Sequence, residues 1–345
     1  MHIITFGLNH KSSPLSVREK FAFYEEELLR ALKILHRMDF IEECLIVSTC
    51  NRVEVYAATE DIDRCLDSIK SFFLSYKGVD ISDVAGNFYI FTGYEAFLHL
   101  FQVGCGLDSL VMGETQVLGQ IKKSYQIAVK AQTTGKITNF LFQKAFFVSK
   151  KVRSSFPIGQ HQVSIGSVSV DLINQKIDNI NDKKVLVIGA GEICKTIIFS
   201  LYKENIDSIF VANRSYDKAL KLNEQFKAIP IAFEGIYEYI NKVDIIISST
   251  SAPHYILDSN NFPKTIVGRK NPIMIIDLAV PRDIEPGLSS IKSVYLYNID
   301  DLRVIIDSNR KKRLSYSEDY FSLLNKETEK FFNKLYLPQE DFINV

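Results

Sequence analysis

Cys50 lies in the polar segment Thr49-Cys50-Asn51-Arg52, which follows a short apolar stretch. Functional side chains concentrate where a rigid element gives way to a loop, so this position suits a reactive thiol. Residues two apart in an extended chain point to the same side, and Arg52 there would favour a thiolate or bind a carboxylate. The alternative is a small apolar filler, as Cys44 is expected to be. Its polar neighbours make Cys50 the best nucleophile candidate among the five cysteines.

A glycine-rich turn is the second candidate site, because it directly follows a predicted strand and opens a predicted helix. Gly189 permits a tight turn, and Gly191 lets the backbone approach a pyrophosphate at the N–H groups of the helix N-terminus. Cys194 stands where the usual pattern has a third glycine, so the match is incomplete. The context favours nucleotide binding over a purely structural turn. The residues that would bind are Gly189, Ala190, Gly191, Glu192, Ile193 and Cys194.

The next predicted strand ends in Asn213-Arg214-Ser215. Sheets that bind NAD usually carry Asp or Glu at this point, whereas a basic residue suits the 2′-phosphate of NADP. The alternative is a surface arginine at a helix start. The segment therefore favours NADPH as the cofactor.

A reactive thiol and a nicotinamide together indicate one chemistry. The thiolate attacks an activated acyl carbon and forms a thioester. A thioester accepts hydride more readily than an oxygen ester, because sulfur donates less into the carbonyl. Collapse of the resulting hemithioacetal releases an aldehyde, so the residues predict an acyl reductase or, in reverse, an aldehyde dehydrogenase.

The composition is that of a folded protein of two or three domains. The chain has 345 residues, 41 basic and 41 acidic, and 46% of them are hydrophobic, which excludes disordered, disulfide-stapled and globally basic classes. The odd number of cysteines fits reduced thiols, and the scattered histidines predict no metal site. Neither a signal peptide nor a membrane-spanning stretch is expected, so we predict a cytoplasmic protein.

Two kinds of pattern divide the chain. The first half reads as mixed α/β, with strands at 3–8, 44–47 and 53–57 and helices at 13–38, 61–76, within 93–130 and at 137–154. Strands at 184–188, 209–212, 243–248, 273–277 and 294–297 then alternate with helices, which is typical of a parallel sheet. One long helix is expected from 300 to 336. The predicted domains are 1–156, 157–298 and 299–345.

Five ordered motifs resemble the glutamyl-tRNA reductase family. They are Ser-Thr-Cys-Asn-Arg-Val-Glu at 48–54, the segment from His99 to Gln120, the glycine turn at 189–194, Asp-Leu-Ala-Val-Pro-Arg-Asp-Ile at 277–284 and Tyr-Asn-Ile-Asp-Asp-Leu at 297–302. The resemblance implies an α/β protein with an N-terminal catalytic domain, a Rossmann-like NADP-binding domain and a long C-terminal helix. Because 44 residues follow Asp301, little or no dimerisation domain is expected.

The resemblance also implies an activity: NADPH-dependent reduction of glutamyl-tRNA(Glu) to glutamate-1-semialdehyde, the first step of tetrapyrrole biosynthesis. Cys50 would be the nucleophile, Arg52 would bind the γ-carboxylate, and His99 would orient the substrate or donate a proton. The implied glutamyl pocket consists of Thr49, Cys50, Asn51, Arg52, Ser109, Glu114, Thr115, Gln116 and Gln120. By themselves these residues also fit helix caps, a core histidine and an exposed glutamine pair.

The implied partners are glutamyl-tRNA(Glu) and, for the product, glutamate-1-semialdehyde aminotransferase. The family's homodimer is in doubt here because the C-terminal region is short. Basic segments that would contact tRNA phosphates, or else form solvated helix faces, are Lys122-Lys123, Lys150-Lys151-Arg153 and Arg310-Lys311-Lys312-Arg313. Two other functions stay open: a thiol-dependent reductase of small-molecule thioesters, and a non-catalytic relative that binds nucleotide or tRNA.

Overall fold

The computed structural model describes residues 1–109, 116–156, 164–206, 208–263, 266, 269, 271–302 and 317–336. The chain divides into two compact units. The first combines Met1–Gln162 with Arg313–Val345, and the second is Val163–Lys312. The first unit is therefore discontinuous in sequence.

An antiparallel sheet of four strands organises the first unit. Its strands are β1 (His2–Asn9), β2 (Glu43–Ser48), β3 (Arg52–Thr59) and β4 (Tyr89–Thr92), in the order β2-β3-β1-β4. The three strands predicted from the sequence are confirmed. The edge strand β4 was not expected, because its four residues alternate between half-buried and exposed positions and give a weak signal.

Helices cover both sides of this sheet. They are α1 (Leu15–Phe21), α2 (Glu25–Leu35), α3 (Ile62–Lys77), α4 (Tyr94–Cys105), α5 (Gln116–Ala131) and α6 (Lys136–Ser155), with a 3-10 helix at Ile81–Asn87. On one side Phe6 of β1 lies 6.4 Å from Phe73 of α3, between ring centroids. On the other side Tyr56 of β3 lies 5.2 Å from Phe142 of α6.

The single helix predicted over 13–38 is wrong, because the structure has two helices there. Ala22 and Tyr24 are extended, and the backbone N–H of Phe23 donates to Ser48 Oγ at 2.9 Å. The side chain of Glu27 accepts from the N–H of Tyr24 at 2.9 Å and starts the second helix. Glu27 also pairs with Lys77 of α3 at 2.7 Å. Burial of Phe21, Ala22 and Phe23 overrides the helical pattern of the sequence.

A parallel sheet organises the second unit, as predicted, with six strands where the sequence predicted five. Its strands are β5 (Val185–Ile188), β6 (Ile209–Ala212), β7 (Ile229–Ile231), β8 (Ile245–Ser248), β9 (Ile273–Asp277) and β10 (Val294–Asn298). The order β10-β9-β8-β5-β6-β7 is that of a doubly wound dinucleotide-binding sheet. Strand β7 was not expected because Pro230 interrupts it, and it lies at the edge, where proline is tolerated.

The helices of this unit are α7 (Ile165–Lys176), α8 (Glu192–Lys203), α9 (Tyr216–Phe226) and α10 (Ile236–Ile240). Helix α7 was not expected from the sequence. Gly166 of α7 lies against α8, and a Cβ at Gly166 would meet Thr196 O at 2.5 Å. This glycine therefore permits the close packing of the two helices.

The last helix, α11 (Ser317–Tyr336), belongs to the first unit. Phe331 lies 6.4 Å from Phe101 of α4, and Phe332 lies 5.7 Å from Phe97, between ring centroids. The helix predicted from 300 to 336 is thus present over 317–336, whereas 303–316 lie outside the described residues. Among the helices of the described ranges, none is long and apolar enough to cross a membrane.

Candidate active site

Cys50 lies at the tip of the β2–β3 hairpin. The N–H of Thr49 donates to Arg52 O at 2.9 Å, which closes the turn. Thr49 Oγ1 accepts from the N–H groups of Asn51 and Arg52, at 3.2 Å each. The N–H of His10, just after β1, donates to Asn51 O at 2.8 Å. The backbone on both sides of the Cys50 thiol is therefore held by hydrogen bonds.

Cys50 differs from the other four cysteines in exposure. It is partly exposed, whereas Cys44, Cys65, Cys105 and Cys194 are fully buried. Burial raises the pKa of Cys44 and Cys194 to about 12, and that of Cys65 and Cys105 to about 11, so these thiols stay protonated at neutral pH. The sulfur most open to a substrate is that of Cys50.

A buried carboxylate, Glu54, lies on the strand that follows Cys50. Its Oε1 accepts hydrogen bonds from Arg52 Nη1 and the Tyr89 hydroxyl at 2.6 Å each, and His99 Nε2 lies 2.8 Å away. Its Oε2 accepts from the Tyr56 hydroxyl at 2.7 Å. We call these five residues the Glu54 cluster. It joins strands β3 and β4 to helix α4 at one carboxylate.

The charged groups of the Glu54 cluster are buried from solvent. Burial by itself raises the pKa of a carboxyl group, but the Arg52 guanidinium and the hydrogen bonds from His99 and Tyr89 hold the pKa of Glu54 well below its usual range. Burial would lower the pKa of Arg52, and Glu54 raises it instead. Because Glu54 is ionised, it accepts from His99, so the Nε2 atom carries a proton.

Gly7 makes room for Glu54. The two residues are directly paired between β1 and β3. A Cβ at Gly7 would lie 2.7 Å from Glu54 Cγ and 2.9 Å from Val53 O. The absence of a side chain at Gly7 is therefore what lets the Glu54 carboxylate sit above the sheet.

A second carboxylate, Asp108, also contacts Arg52. Arg52 Nη2 donates to the Asp108 carbonyl at 2.5 Å and to Oδ2 at 3.1 Å, and Asn9 Nδ2 donates to Oδ2 at 3.1 Å. The Lys11 ammonium pairs with the same carboxylate. Burial opposes ionisation of Asp108, but Arg52 and Lys11 lower its pKa. Arg52, 1% exposed, thus has both terminal nitrogens engaged by groups of its own unit.

The other predicted glutamyl-pocket residues fall into three groups. Asn51 is 9% exposed, and its Oδ1 has no hydrogen-bond partner among the residues that the structure describes; the same holds for Ser109 Oγ, beside Asp108. Gln116 begins α5 and Gln120 follows one turn later, both partly buried. Glu114 and Thr115 lie outside the described residues. Among the predicted site residues, Arg52 and His99 are linked to each other by Glu54, because both contact its carboxylate.

Five residues of this site escaped the sequence analysis. They are Gly7, Glu54, Tyr56, Tyr89 and Asp108. The available signal was the alternation Arg52, Glu54, Tyr56 on a strand whose other residues are apolar. Three polar side chains on one buried face indicate an internal network, because buried charges need partners.

The glycine turn of the second unit has the geometry of a nucleotide-binding turn. Gly189 follows β5 with a φ of 115°, and a Cβ there would meet Ser249 O at 2.4 Å. Gly191 precedes the first residue of α8, and nothing lies within 4 Å of the place of its missing Cβ, so the backbone is open to a pyrophosphate. Cys194 Sγ lies 3.5 Å from Ser249 O and fills the space beneath the turn. The side chain of Cys194 therefore supplies the packing that the third glycine permits in the usual pattern.

The segment after β6 exposes its basic side chain to solvent. Arg214 and Ser215 are exposed, and Asn213 Nδ2 donates to Ser215 O at 2.9 Å. The Arg214 guanidinium lies 5.8 Å from the ring centroid of Phe233. An exposed guanidinium at the end of the second strand is free to meet a phosphate.

Two buried aspartates lie at the same edge of the parallel sheet. Asp283 accepts from Ser248 Oγ and Thr250 Oγ1 at 2.6 Å each. Asp277 accepts from the N–H groups of Ala279 at 3.1 Å and Ile284 at 2.9 Å. Burial raises the pKa of Asp277 to about 8, with a further contribution from Asp283, and burial also raises the pKa of Asp283. We call them the aspartate pair.

No group of three or more His, Cys, Asp or Glu side chains that could hold a metal ion occurs in the described part of the chain. The described residues offer a thiol, a hydrogen-bonded imidazole and a dinucleotide turn.

Known proteins resemble both units. The sequence model of the glutamyl-tRNA(Glu) reductase N-terminal domain matches residues 6–156, and that of shikimate/quinate 5-dehydrogenase matches 171–305. The second match and the sheet order make the second unit a nicotinamide dinucleotide-binding domain.

Relatives match over nearly the whole chain. Glutamyl-tRNA reductase of Desulfatibacillum aliphaticivorans is 42% identical over 314 residues, which are 91% of this chain and 72% of the relative. That of Thermodesulfovibrio yellowstonii is 37% identical over 97% of this chain and 80% of the relative. The solved glutamyl-tRNA reductase from Methanopyrus kandleri is 31% identical, with a TM-score of 0.51 over 96% of this chain and 80% of that chain. At this identity and coverage, the chain belongs to the glutamyl-tRNA reductase family.

Proposed function

We propose that this protein reduces the glutamyl group of glutamyl-tRNA(Glu) to glutamate-1-semialdehyde with NADPH, the first step of tetrapyrrole synthesis from glutamate. The observation that carries the proposal is the placement of Cys50, the partly exposed cysteine, on a hydrogen-bonded turn beside the Glu54 cluster. The following enzyme would be an aminotransferase, because the product is an amino aldehyde.

The Cys50 thiolate attacks the carbonyl carbon of the aminoacyl ester. A sulfur–carbon bond forms, the bond to the tRNA ribose oxygen breaks, and that oxygen leaves with the proton that the Cys50 thiol gave up. Held at the glycine turn of residues 189–194, NADPH would supply the hydride for reduction of the thioester. Breakage of the sulfur–carbon bond then releases the aldehyde and returns the thiolate.

His99 and Arg52 have different tasks in this scheme. Glu54 holds the Nε2 proton of His99, so Nδ1 is the atom that would accept from the substrate ammonium group or take the thiol proton. Arg52 would bind the side-chain carboxylate of the glutamyl group by exchanging it for Asp108. Asp108 is 14% exposed, so it occupies the accessible side of the guanidinium.

The decisive experiment traps the thioester. The protein is incubated with glutamyl-tRNA carrying labelled glutamate, without NADPH, and its peptides are mapped by mass spectrometry. We expect the glutamyl adduct on the peptide that contains Cys50, and loss of both adduct and aldehyde in Cys50→Ser. The peptides of the four buried cysteines serve as internal controls. Aldehyde formation with an unmodified Cys50 would contradict the proposal, as would activity confined to small thioesters.

The choice of NADPH is tested at Arg214. In Arg214→Asp a carboxylate would repel the 2′-phosphate, so we expect the ratio of kcat/KM for NADPH to that for NADH to fall at least about tenfold. Lys242→Asp, a charge change at another exposed position of the same unit, is the matched control. An unchanged cofactor ratio in Arg214→Asp would refute the assignment.

A further inference from the structure

Positive charge is concentrated in one part of this electrically balanced chain. Residues 115–170 contain no Asp or Glu. The basic residues of this stretch are Lys122, Lys123, Lys130, Lys136, Lys144, Lys150, Lys151 and Arg153. All of them lie on helices α5 and α6, and none lies in the loop of four residues between the two helices. Two helices that carry no carboxylate of their own are suited to a polyanion.

Helices α5 and α6 pack together on the side of the antiparallel sheet that carries the Glu54 cluster. The rings of Tyr125 and Phe142 are stacked 5.9 Å apart, and Phe142 in turn contacts Tyr56 of β3. The Tyr125 hydroxyl donates to Asn139 Oδ1 at 3.0 Å. The two helices thus form a continuous surface over the catalytic side of the sheet.

The direction of α5 relates this surface to Cys50. The N–H of Cys44, at the start of β2, donates to Thr133 O, just after α5, at 2.7 Å. Strand β2 runs from there toward Cys50, and α5 packs along it in the opposite direction. The N-terminal end of α5 is therefore the end near Cys50. Lys122 is six residues from Gln116, which is about 9 Å along the helix.

Ion pairs remove some of the lysines from consideration. Lys123 pairs with Glu25 at 2.5 Å, and Lys151 pairs with Glu327 at 2.6 Å. Lys122 and Lys150 are exposed and form no ion pair with any described residue. These two ammonium groups are available to an outside partner.

An aromatic ring and an amide lie between Lys122 and Lys150. Lys122 Nζ is 5.7 Å from the ring centroid of Phe146, and Phe146 and Lys150 are one helical turn apart on α6. The exposed Gln143 precedes Phe146 by three residues, and its Nε2 donates to the Tyr125 hydroxyl at 3.4 Å. We call Lys122, Gln143, Phe146 and Lys150 the α5–α6 face.

We propose that the α5–α6 face binds the sugar-phosphate backbone of the tRNA close to its aminoacylated end. This inference rests on the proposed function. Lysines act as point charges for phosphates, an amide serves a ribose hydroxyl, and no carboxylate of either helix repels the backbone. The surface leads to the end of β2 that carries Cys50, where the aminoacyl ester must arrive.

The test removes the two available charges in Lys122→Ala/Lys150→Ala. The control is Lys20→Ala/Lys70→Ala, which removes two exposed charges from α1 and α3, on the opposite side of the sheet, where Lys70 pairs with the exposed Asp67 at 2.9 Å. The KM for glutamyl-tRNA(Glu) and kcat are measured between 50 and 300 mM KCl (roughly the range over which phosphate contacts weaken steeply). We expect the KM of the test variant to rise about 10- to 30-fold near physiological salt, with kcat unchanged. The slope of log KM against log salt should fall by about two.

Several results separate this inference from the function on which it rests. An unchanged KM and salt slope in a variant that still reduces glutamyl-tRNA overturns the α5–α6 face alone. An equal effect in the control variant also overturns it, because it would show that the charge effect is not local. Failure of the wild-type protein to reduce glutamyl-tRNA overturns the proposed function instead. Circular dichroism and thermal melting check that both variants fold, as expected for alanine at exposed helical positions.

Discussion

Each of the two units buries carboxylates, but the two sites hold them in opposite charge states. Glu54 is surrounded by a guanidinium, two tyrosine hydroxyls and an imidazole, and its pKa lies well below the usual range. Asp277 meets backbone N–H groups and a second carboxyl group, and its pKa is raised to about 8. Burial is nearly complete at both positions.

The difference shows that burial alone does not decide whether an acid is charged. Desolvation opposes ionisation at both sites, and Arg52 reverses the balance at only one of them. The first unit thereby fixes two charged groups and an imidazole on the side of the sheet next to the Cys50 turn. The second unit uses its aspartate pair to hold loops at the carboxyl edge of the parallel sheet, through Ser248, Thr250 and backbone donors.

The largest expected effect comes from removing the charge of Glu54. Glu54→Gln leaves the buried Arg52 with one partner fewer, and breaking a buried ion pair costs about 3–5 kcal/mol. Asp277→Asn should cost only about 1–2 kcal/mol at pH 7, because a mostly protonated acid loses a hydrogen-bond acceptor rather than a charge. Urea unfolding of both variants measures the two losses, and reductase turnover should fall in Glu54→Gln. Equal losses of unfolding free energy in the two variants would contradict the distinction between a charged Glu54 and a protonated Asp277.

A smaller effect is expected from crowding the Glu54 cluster without touching its charges. The Cβ of Gly7→Ala would meet Glu54 Cγ and Val53 O within 3 Å, so we expect a loss of about 1–3 kcal/mol together with reduced turnover. Gly86→Ala is the control, because nothing lies within 4 Å of that position, and it should change stability by less than about 0.5 kcal/mol. A Gly7→Ala variant as stable and active as the wild type would show that the carboxylate has room to move.

The smallest effect, counted per pH unit, is a dependence of the free energy of unfolding on pH. The folded-state pKa of Asp277, about 8, lies above its ordinary value of 3.8, so its protonated form favours the fold and the contribution is lost as the pH rises toward 8. The advantage of the wild type over Asp277→Asn should therefore shrink from pH 5 to pH 9, by at most about 1.4 kcal/mol per pH unit. For Glu54 the lowered pKa gives a contribution that is lost only in acid, so the gap to Glu54→Gln should stay flat above pH 5. A difference in unfolding free energy between the wild type and Asp277→Asn that widens as the pH rises would contradict the predicted direction.

The sequence predicted the parts of the molecule that depend on local patterns. The strands on either side of Cys50, the glycine turn at Gly189 and the strands of the parallel sheet all follow from hydrophobic period and turn chemistry. The break between α1 and α2 was missed, because it depends on Ser48 and Lys77, which are distant in sequence.

The Glu54 cluster was missed for a related reason. A glutamate on a strand usually indicates a solvent-exposed position. Its burial is tolerated here only because Arg52, Tyr89 and His99 contact it from three different elements. Cys50 itself was recognisable, since its polar neighbours lie in the same turn. Residues that act through distant partners are invisible to patterns that compare neighbours in the chain.

The discontinuity of the first unit has a consequence for its synthesis. Helix α11 buries Tyr320, Leu324 and Phe331, and it packs on α4, the helix that carries His99. A ribosome must add the whole second unit before these side chains emerge, which takes on the order of ten seconds. The nascent first unit therefore lacks the packing of α11 on its imidazole-bearing helix until the whole second unit has been synthesised.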